Sequence, residues 1–150
     1  MVGVDYSASS IALASGIGGG EGEGAEGLEF RVWDVMREEH EEEEEEQEKE
    51  WMGGGFDVVL DKGTFDAISL SGDVEGGRRV FEQYPGRIVR LVRPGGLFIV
   101  TSCNWTGEEI LSLFNVPGLR PHVPGEIRYP SFRFGGSSGQ SICTKVFERC

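Results

Sequence analysis

Three short apolar stretches each end in an aspartate. Val2-Gly3-Val4 precedes Asp5, Phe30-Arg31-Val32-Trp33 precedes Asp34, and Val58-Val59-Leu60 precedes Asp61. An ionised carboxylate accepts hydrogen bonds at two oxygens and donates none. At the carboxyl end of a parallel strand it lies where open α/β sheets bind their ligands. One such carboxylate can take both hydroxyls of a ribose. A second, one strand over, can take the amino group of an adenine, and a third lies nearer a reacting end. The three in chain order point to an adenosine-containing ligand with no phosphate cradle. Aspartate also favours turns and strand ends on its own account, which explains any one of the three but not the set.

Two further clusters follow buried strands. Asp61-Lys62-Gly63-Thr64-Phe65-Asp66 is either a Lys-Gly turn capped by Asp and Thr or a loop that closes over a reacting group. Ser102-Cys103-Asn104-Trp105 offers a polar amide and a large ring to line a substrate channel. Against that, a Trp is commonly packing and a free Cys a small buried hydrophobe. His40 lies in a run of glutamates and His122 in a Pro-rich loop, as a surface residue, so no Ser-His-Asp or Cys-His arrangement is legible. The three cysteines (103, 143, 150) are odd in number and lack metal-ligand spacing. They read as reduced thiols, with no metal site.

The elements that must hold these residues can be read from pattern. Val2–Val4 is the tail of a strand, followed by a short helix with Ile11, Leu13 and Ala14 on its apolar side. Leu28 to Trp33 alternates apolar and polar residues, a half-buried strand. Phe56–Leu60 is a short apolar strand, with a turn or brief helix over 65–70. Tyr84–Val92 reads as a helix with Pro in its first turn, where a missing N–H costs nothing. Pro94-Gly95-Gly96 breaks it, and Leu97–Thr101 is the next buried strand. Thr106-Gly107-Glu108-Glu109 is a capping-box pattern ahead of Ile110, Leu111 and Phe114. After a Pro-rich connection, Tyr129–Phe134 and Ile142–Glu148 form a hairpin about Gly135–Gly139. Strands alternating with helices predict an α/β domain with a largely parallel sheet and helices on both faces.

The 150 residues are one domain on length, and the charge is unevenly spread. Residues 38–50 hold ten Glu and one Lys. Without their nine net negative charges, the formal −12 of the chain falls to about −3. That near-neutral remainder lacks the basic face of a nucleic-acid binder. The Gly-rich stretch 16–27 reads as a loop, and 37–55 as a solvated, partly disordered Glu-rich insertion, because like charges at i and i+4 oppose a helix. No apolar run reaches membrane-spanning length.

Four segments, "GVDYSASSIALA", "FDVVLDKGTFDAISLS", "LVRPGGLFIVTSCNWTGEEIL" and "SFRFGGSSGQSICTKVF", resemble consecutive motifs of the seven-strand, class I S-adenosylmethionine-dependent methyltransferases. More narrowly, they resemble the eukaryotic elongation factor 1-alpha lysine methyltransferase family. The resemblance implies a Rossmann-like seven-strand sheet closed by the C-terminal antiparallel hairpin, with S-adenosylmethionine as cofactor. It makes Asp5 the ribose-binding acid, with Tyr6 and Ser7 beside it, and gives Asp34 and Val35 the adenine edge. Asp61 becomes the catalytic-motif residue near the methionine end and the incoming lysine, with Asn104 and Trp105 facing the substrate. It further implies a cytoplasmic, monomeric enzyme whose protein substrate is elongation factor 1-alpha. The family's first strand and Gly-rich cofactor loop are expected to be missing here, since "GIGGGEGEG" follows a helix rather than a strand. Two rival readings stand beside the enzyme: an inactive, partner-binding remnant of the fold, and a methyltransferase of small molecules.

Overall fold

The computed structural model describes residues 1–18, 27–37, 51–127, 129–130, 132–135, 137–139 and 142–150. Most of the Gly-rich loop and of the Glu-rich insertion lies outside the described residues. The chain divides into two compact units, Met1–Glu38 and Glu39–Cys150.

The first unit is a β-α-β element: β1 (Val2–Asp5), α1 (Ala8–Gly18) and β2 (Glu29–Val32). The two strands pair in parallel, with Val2 opposite Glu29 and Asp5 opposite Val32. A parallel pair needs a crossover connection, and α1 lies within it. The helix begins where Ser7 can cap it. The Ser7 hydroxyl accepts from the Ser10 amide at 3.4 Å, and the Ser7 carbonyl accepts from Ile11 at 3.1 Å.

The second unit runs β3 (Phe56–Lys62), α2 (Thr64–Ser71), β4 (Val74–Glu75), β5 (Arg78–Arg79), a 3₁₀ turn (Val80–Glu82), α3 (Tyr84–Leu91), β6 (Val92–Ser102) and α4 (Gly107–Leu113). It finishes with β7 (Leu119–Ile127), β8 (Phe132–Phe134), β9 (Ser137–Gly139) and β10 (Cys143–Arg149). Its central sheet has four strands in the order β3-β6-β10-β7, where seven were expected for the whole family sheet. The α/β class itself stands. β3 and β6 are parallel, and β10 is antiparallel to both its neighbours.

Two expectations are corrected here. The partner of β10 in the C-terminal hairpin is Leu119–Ile127, not Tyr129–Phe134. Residues 132–134 instead pair with 137–139 as a small separate hairpin. The "Pro-rich connection" is a strand because β7 is the last in the sheet, where a residue without an N–H can sit on the open side. Likewise, Pro94-Gly95-Gly96 does not precede β6 but bulges out of it. Phe56 opposes Val92 and Val58 opposes Leu97, so two steps of β3 match five of β6. Gly96 permits this fold-back, since a Cβ there would lie 2.9 Å from the Phe56 carbonyl oxygen and 3.0 Å from that of Arg93.

One face of the sheet is packed. Phe98, Val100 and Phe147 are fully buried on it, together with Phe65 of α2, Tyr84 and Ile88 of α3, and Phe114 just after α4. Helix α3 buries Tyr84, Pro85, Ile88 and Leu91, a single stripe of a 3.6-residue period. On the other face Leu97, Ile99 and Val146 are half-buried, and Leu60 is 71% exposed. In this unit the expected helices on both faces are thus seen on one face only, among the described residues.

Phe114 is the centre of the packed face. Its ring lies 5.4 Å from Phe65, 6.2 Å from Tyr84, and 5.3 Å from both Phe98 and Phe147. Replacing it with Ala should cost about 3–5 kcal/mol, from lost transfer energy and an unfilled cavity. Urea unfolding followed by circular dichroism measures this. A loss below about 1 kcal/mol would show that the ring cluster is not the core of the unit.

Candidate functional site

In the first unit the structure brings Asp5 and Asp34 to the carboxyl ends of adjacent parallel strands. Asp5 is the last residue of β1, and its carbonyl accepts the Trp33 amide at 2.9 Å. Each carboxylate uses one oxygen to shape its own turn. Asp5 Oδ1 accepts from the Ser7 amide at 2.8 Å, and Asp34 Oδ1 accepts from the Met36 amide at 2.9 Å. Both turns are of the Asx type, in which the side chain mimics a backbone carbonyl. Ser7 shares a 2.8 Å hydrogen bond with Ser9 through their hydroxyls. Tyr6 projects with 75% of its surface exposed, and Val35 is half-buried.

The second unit holds Asp61, Asn104 and Trp105 at the carboxyl ends of β3 and β6, which are neighbours in the sheet. Asp61 is not an open carboxylate. It is 5% exposed, and its oxygens accept from the amides of Thr64 and Phe65, each at 3.1 Å, and from the Tyr84 hydroxyl at 2.7 Å. It therefore caps α2 from beyond Gly63, whose φ of 102° gives the turn its left-handed step. Burial raises the Asp61 pKa above its ordinary 3.8, while the donations from Tyr84, Phe65 and Thr64 pull it back down. Burial also pushes the Tyr84 hydroxyl well above its usual range, reinforced by the negative charge of Asp61.

Asn104 is exposed at the turn after β6. Trp105 is held inward: its ring lies 5.4 Å from Phe65 and 5.2 Å from Phe81, and its indole N–H donates to Ser69 Oγ at 2.9 Å. The packing role weighed for Trp105 is thus present, although the residue as a whole is only half-buried. Cys103 is exposed rather than a buried hydrophobe, and its thiol donates to Asp66 at 3.3 Å. That contact with the Asp66 carboxylate raises the thiol's pKa. Among the described residues no group of His, Cys, Asp and Glu could hold a metal ion.

Sequence reasoning gave no role to Tyr84 or Ser69, and it included Asp66 and Ser102 in its two strand-end clusters without assigning either a role of its own. Asp66 is 7% exposed, with Ser102 Oγ, the Cys103 amide (3.0 Å) and the Cys103 thiol all donating to its carboxylate. The one available signal was the repeated "D-x4-D" of 61–66, whose second carboxylate falls on the inner side of α2.

The Asp61–Tyr84 bond yields a pH-dependent expectation. Because burial raises its folded pKa, Asp61 weakens stability as pH rises from the unfolded value of 3.8 through the raised one. Tyr84→Phe removes a donor that lowers this pKa, so it raises the pKa further. The variant should lose about 1.5–3 kcal/mol while Asp61 is ionised, the worth of a hydrogen bond to a charged group. The difference should shrink as pH falls through the Asp61 pKa. Denaturant titrations of both proteins across acid and neutral pH test it, and a pH-independent difference would contradict it.

Strand-end carboxylates on a parallel pair can accept hydrogen bonds from the hydroxyl and amino groups of a nucleoside. A sequence model of a methyltransferase domain matches residues 1–129. Protein-lysine N-methyltransferase EFM4 of Saccharomyces cerevisiae is 37% identical over 149 residues, covering 98% of this chain and 58% of that protein. EEF1A lysine methyltransferase 2 of Homo sapiens is 36% identical over 149 residues, covering 99% of this chain and 56% of that protein. The chain thus spans a little over half the length of these curated relatives. Among solved structures, the N-methyltransferase NodS of Bradyrhizobium japonicum, in complex with S-adenosyl-L-homocysteine, superposes with a TM-score of 0.59 at 11% identity, covering 99% of this chain and 65% of that one. A TehB-like methyltransferase of Corynebacterium glutamicum gives 0.58 at 15% identity, covering 99% and 67%. With a methyltransferase-domain model matching 129 of its 150 residues and a fold shared with solved methyltransferases, the chain belongs to the methyltransferase-domain family.

Proposed function

We propose that this chain carries out, or forms part of, S-adenosylmethionine-dependent N-methylation of a lysine on translation elongation factor 1-alpha. The observation that carries this reading is the 36–37% identity, along nearly the whole chain, to relatives named as protein-lysine and EEF1A lysine methyltransferases. The donor set fits the adenosine part of the cofactor. Asp5 and Asp34 stand one strand apart, and each has a second oxygen beyond the one that shapes its turn. Asp5, with Tyr6 and Ser7, takes the ribose hydroxyls, and Asp34, with Val35, takes the adenine edge.

When bound, the cofactor supplies a methyl group on a positively charged sulfur. That methyl would pass to a neutral lysine amine, a C–N bond replacing the C–S bond, and the amine's surplus proton would go to solvent. Such a displacement asks the protein mainly for alignment. It also asks that the amine, with a free pKa of about 10.4, be uncharged, which an apolar setting favours. Asp61 is already surrounded by three donors and serves better as the anchor of the Lys62–Thr64 turn than as a base. Exposed Asn104 and half-buried Trp105 are the groups that meet the substrate. The reading carries with it a cytoplasmic, monomeric protein. Among the described residues, no helix is long and apolar enough to cross a membrane.

Isothermal titration of the 150-residue chain with S-adenosylmethionine should give saturable heat. Asp5→Asn should weaken binding by about 10- to 100-fold, the worth of charge-assisted hydrogen bonds to the ribose. Incubation with methyl-labelled cofactor and elongation factor 1-alpha should place label on a lysine of that protein. No heat with the intact chain would favour the partner-binding reading. Label on small molecules alone would sink the lysine reading.

A further inference from the structure

Four consecutive backbone amides at the carboxyl end of β6 are held by side chains rather than by a strand or helix. The Cys103 amide donates to Asp66 Oδ2 at 3.0 Å. The Asn104 and Trp105 amides donate to Ser102 Oγ at 3.1 and 3.0 Å. Ser102 Oγ in turn donates to Asp66 Oδ1. The Thr106 amide donates to Glu109 Oε2 at 2.8 Å, half of the capping box of α4. Three of the four amides thus depend on a single buried carboxylate. That carboxylate belongs to the third residue of α2, the helix that begins directly after the Lys62–Gly63 turn. A second link runs through the same helix, from Trp105 Nε1 to Ser69 Oγ and from Ser69 Oγ to the Asp66 carbonyl.

We propose that Asp66 is a positioning residue for the methyl-transfer reaction: through Ser102 it locks the turn after β6, bearing Asn104 and Trp105, to the turn after β3, bearing Lys62 and Gly63. The inference rests on the functional reading above and adds to it which group sets the spacing between the substrate-facing turn after β6 and the Asp61-anchored turn after β3. The hydroxyl of Ser102 is the hub, because one atom donates to Asp66 and accepts two amides. Asp66→Asn keeps the shape but sets an N–H group where an acceptor oxygen is needed. Ser102→Ala removes the hub with a smaller disturbance. The printed hydrogen bonds of Asp5 and Asp34 run to their own turns and not to Asp66 or Ser102, so binding of the adenosine part should be spared.

Two readouts on the full chain test this. Amide hydrogen exchange should speed up by about tenfold or more at Cys103, Asn104 and Trp105 in Asp66→Asn, and at Asn104 and Trp105 in Ser102→Ala, where the Cys103 amide keeps Asp66 Oδ2, a change on the scale of losing one hydrogen bond. It should stay unchanged at Thr106, whose amide Glu109 holds independently. General destabilisation would instead raise exchange at Thr106 as well. In methyl transfer, kcat should fall about tenfold or more with the cofactor Kd within about twofold, and the double variant should be no worse than the more severe single one. Exchange unchanged at 103–105, or a kcat loss matched by an equal loss of cofactor affinity, would overturn the proposal. If the wild-type chain transfers no methyl group, the functional reading fails, and the exchange pattern alone decides whether Asp66 locks the two turns.

Discussion

A carboxylate can be buried as an anion only where donors surround it, since an unpaired buried charge costs several kcal/mol. Asp66 meets that condition with a hydroxyl, an amide and a thiol, all from Ser102 and Cys103. The condition works in both directions. It fixes where the end of β6 must lie if α2 is to pack, and it fixes where α2 must lie if β6 is to end at Ser102. The parallel ladder between β3 and β6 brings the two strands together along their length. The Asp66 contacts decide how the chain leaves that ladder at its carboxyl end.

Below this polar layer lies an aromatic one, and Phe65 belongs to both. Its amide donates to Asp61, while its ring packs 5.7 Å from Tyr84, 5.4 Å from Trp105 and 5.4 Å from Phe114. Tyr84 bridges the layers in the opposite sense, with its ring in the cluster and its hydroxyl on Asp61. Aromatic pairs at these separations add modest energy beyond the burial of their area. Their larger effect here is geometric, because Phe65 and Tyr84 tie the ring cluster directly to the Asp61 carboxylate.

How far the sequence carried the structure depends on the range of the interactions involved. Local signals were legible. Thr106 and Glu109 form the capping box their spacing suggested, and the helix with Pro in its first turn runs Tyr84–Leu91. The turn at 61–66, read either as an Asp-capped structure or as a loop over a reacting group, is indeed capped by Asp61. Non-local pairings were not legible. Nothing in the run 119–127 announces that it pairs with β10, because two prolines disguise it as a connection. Asp66 and Ser102 are 36 residues apart, and neither is unusual in its own neighbourhood. Trp105 could be placed at the right strand end from the sequence, but only the ring contacts and the bond to Ser69 show that most of it is packing.

The two prolines of β7 have a consequence for the molecule in solution. An outer strand normally offers a row of amide hydrogens and carbonyls on which another chain can continue the sheet. In β7 that row is broken by Pro121 and Pro124, and the pairing slips between Lys145 and Phe147 of the neighbouring strand. An incoming strand would find missing donors and an irregular repeat, so growth of the sheet into an aggregate is blocked on this side.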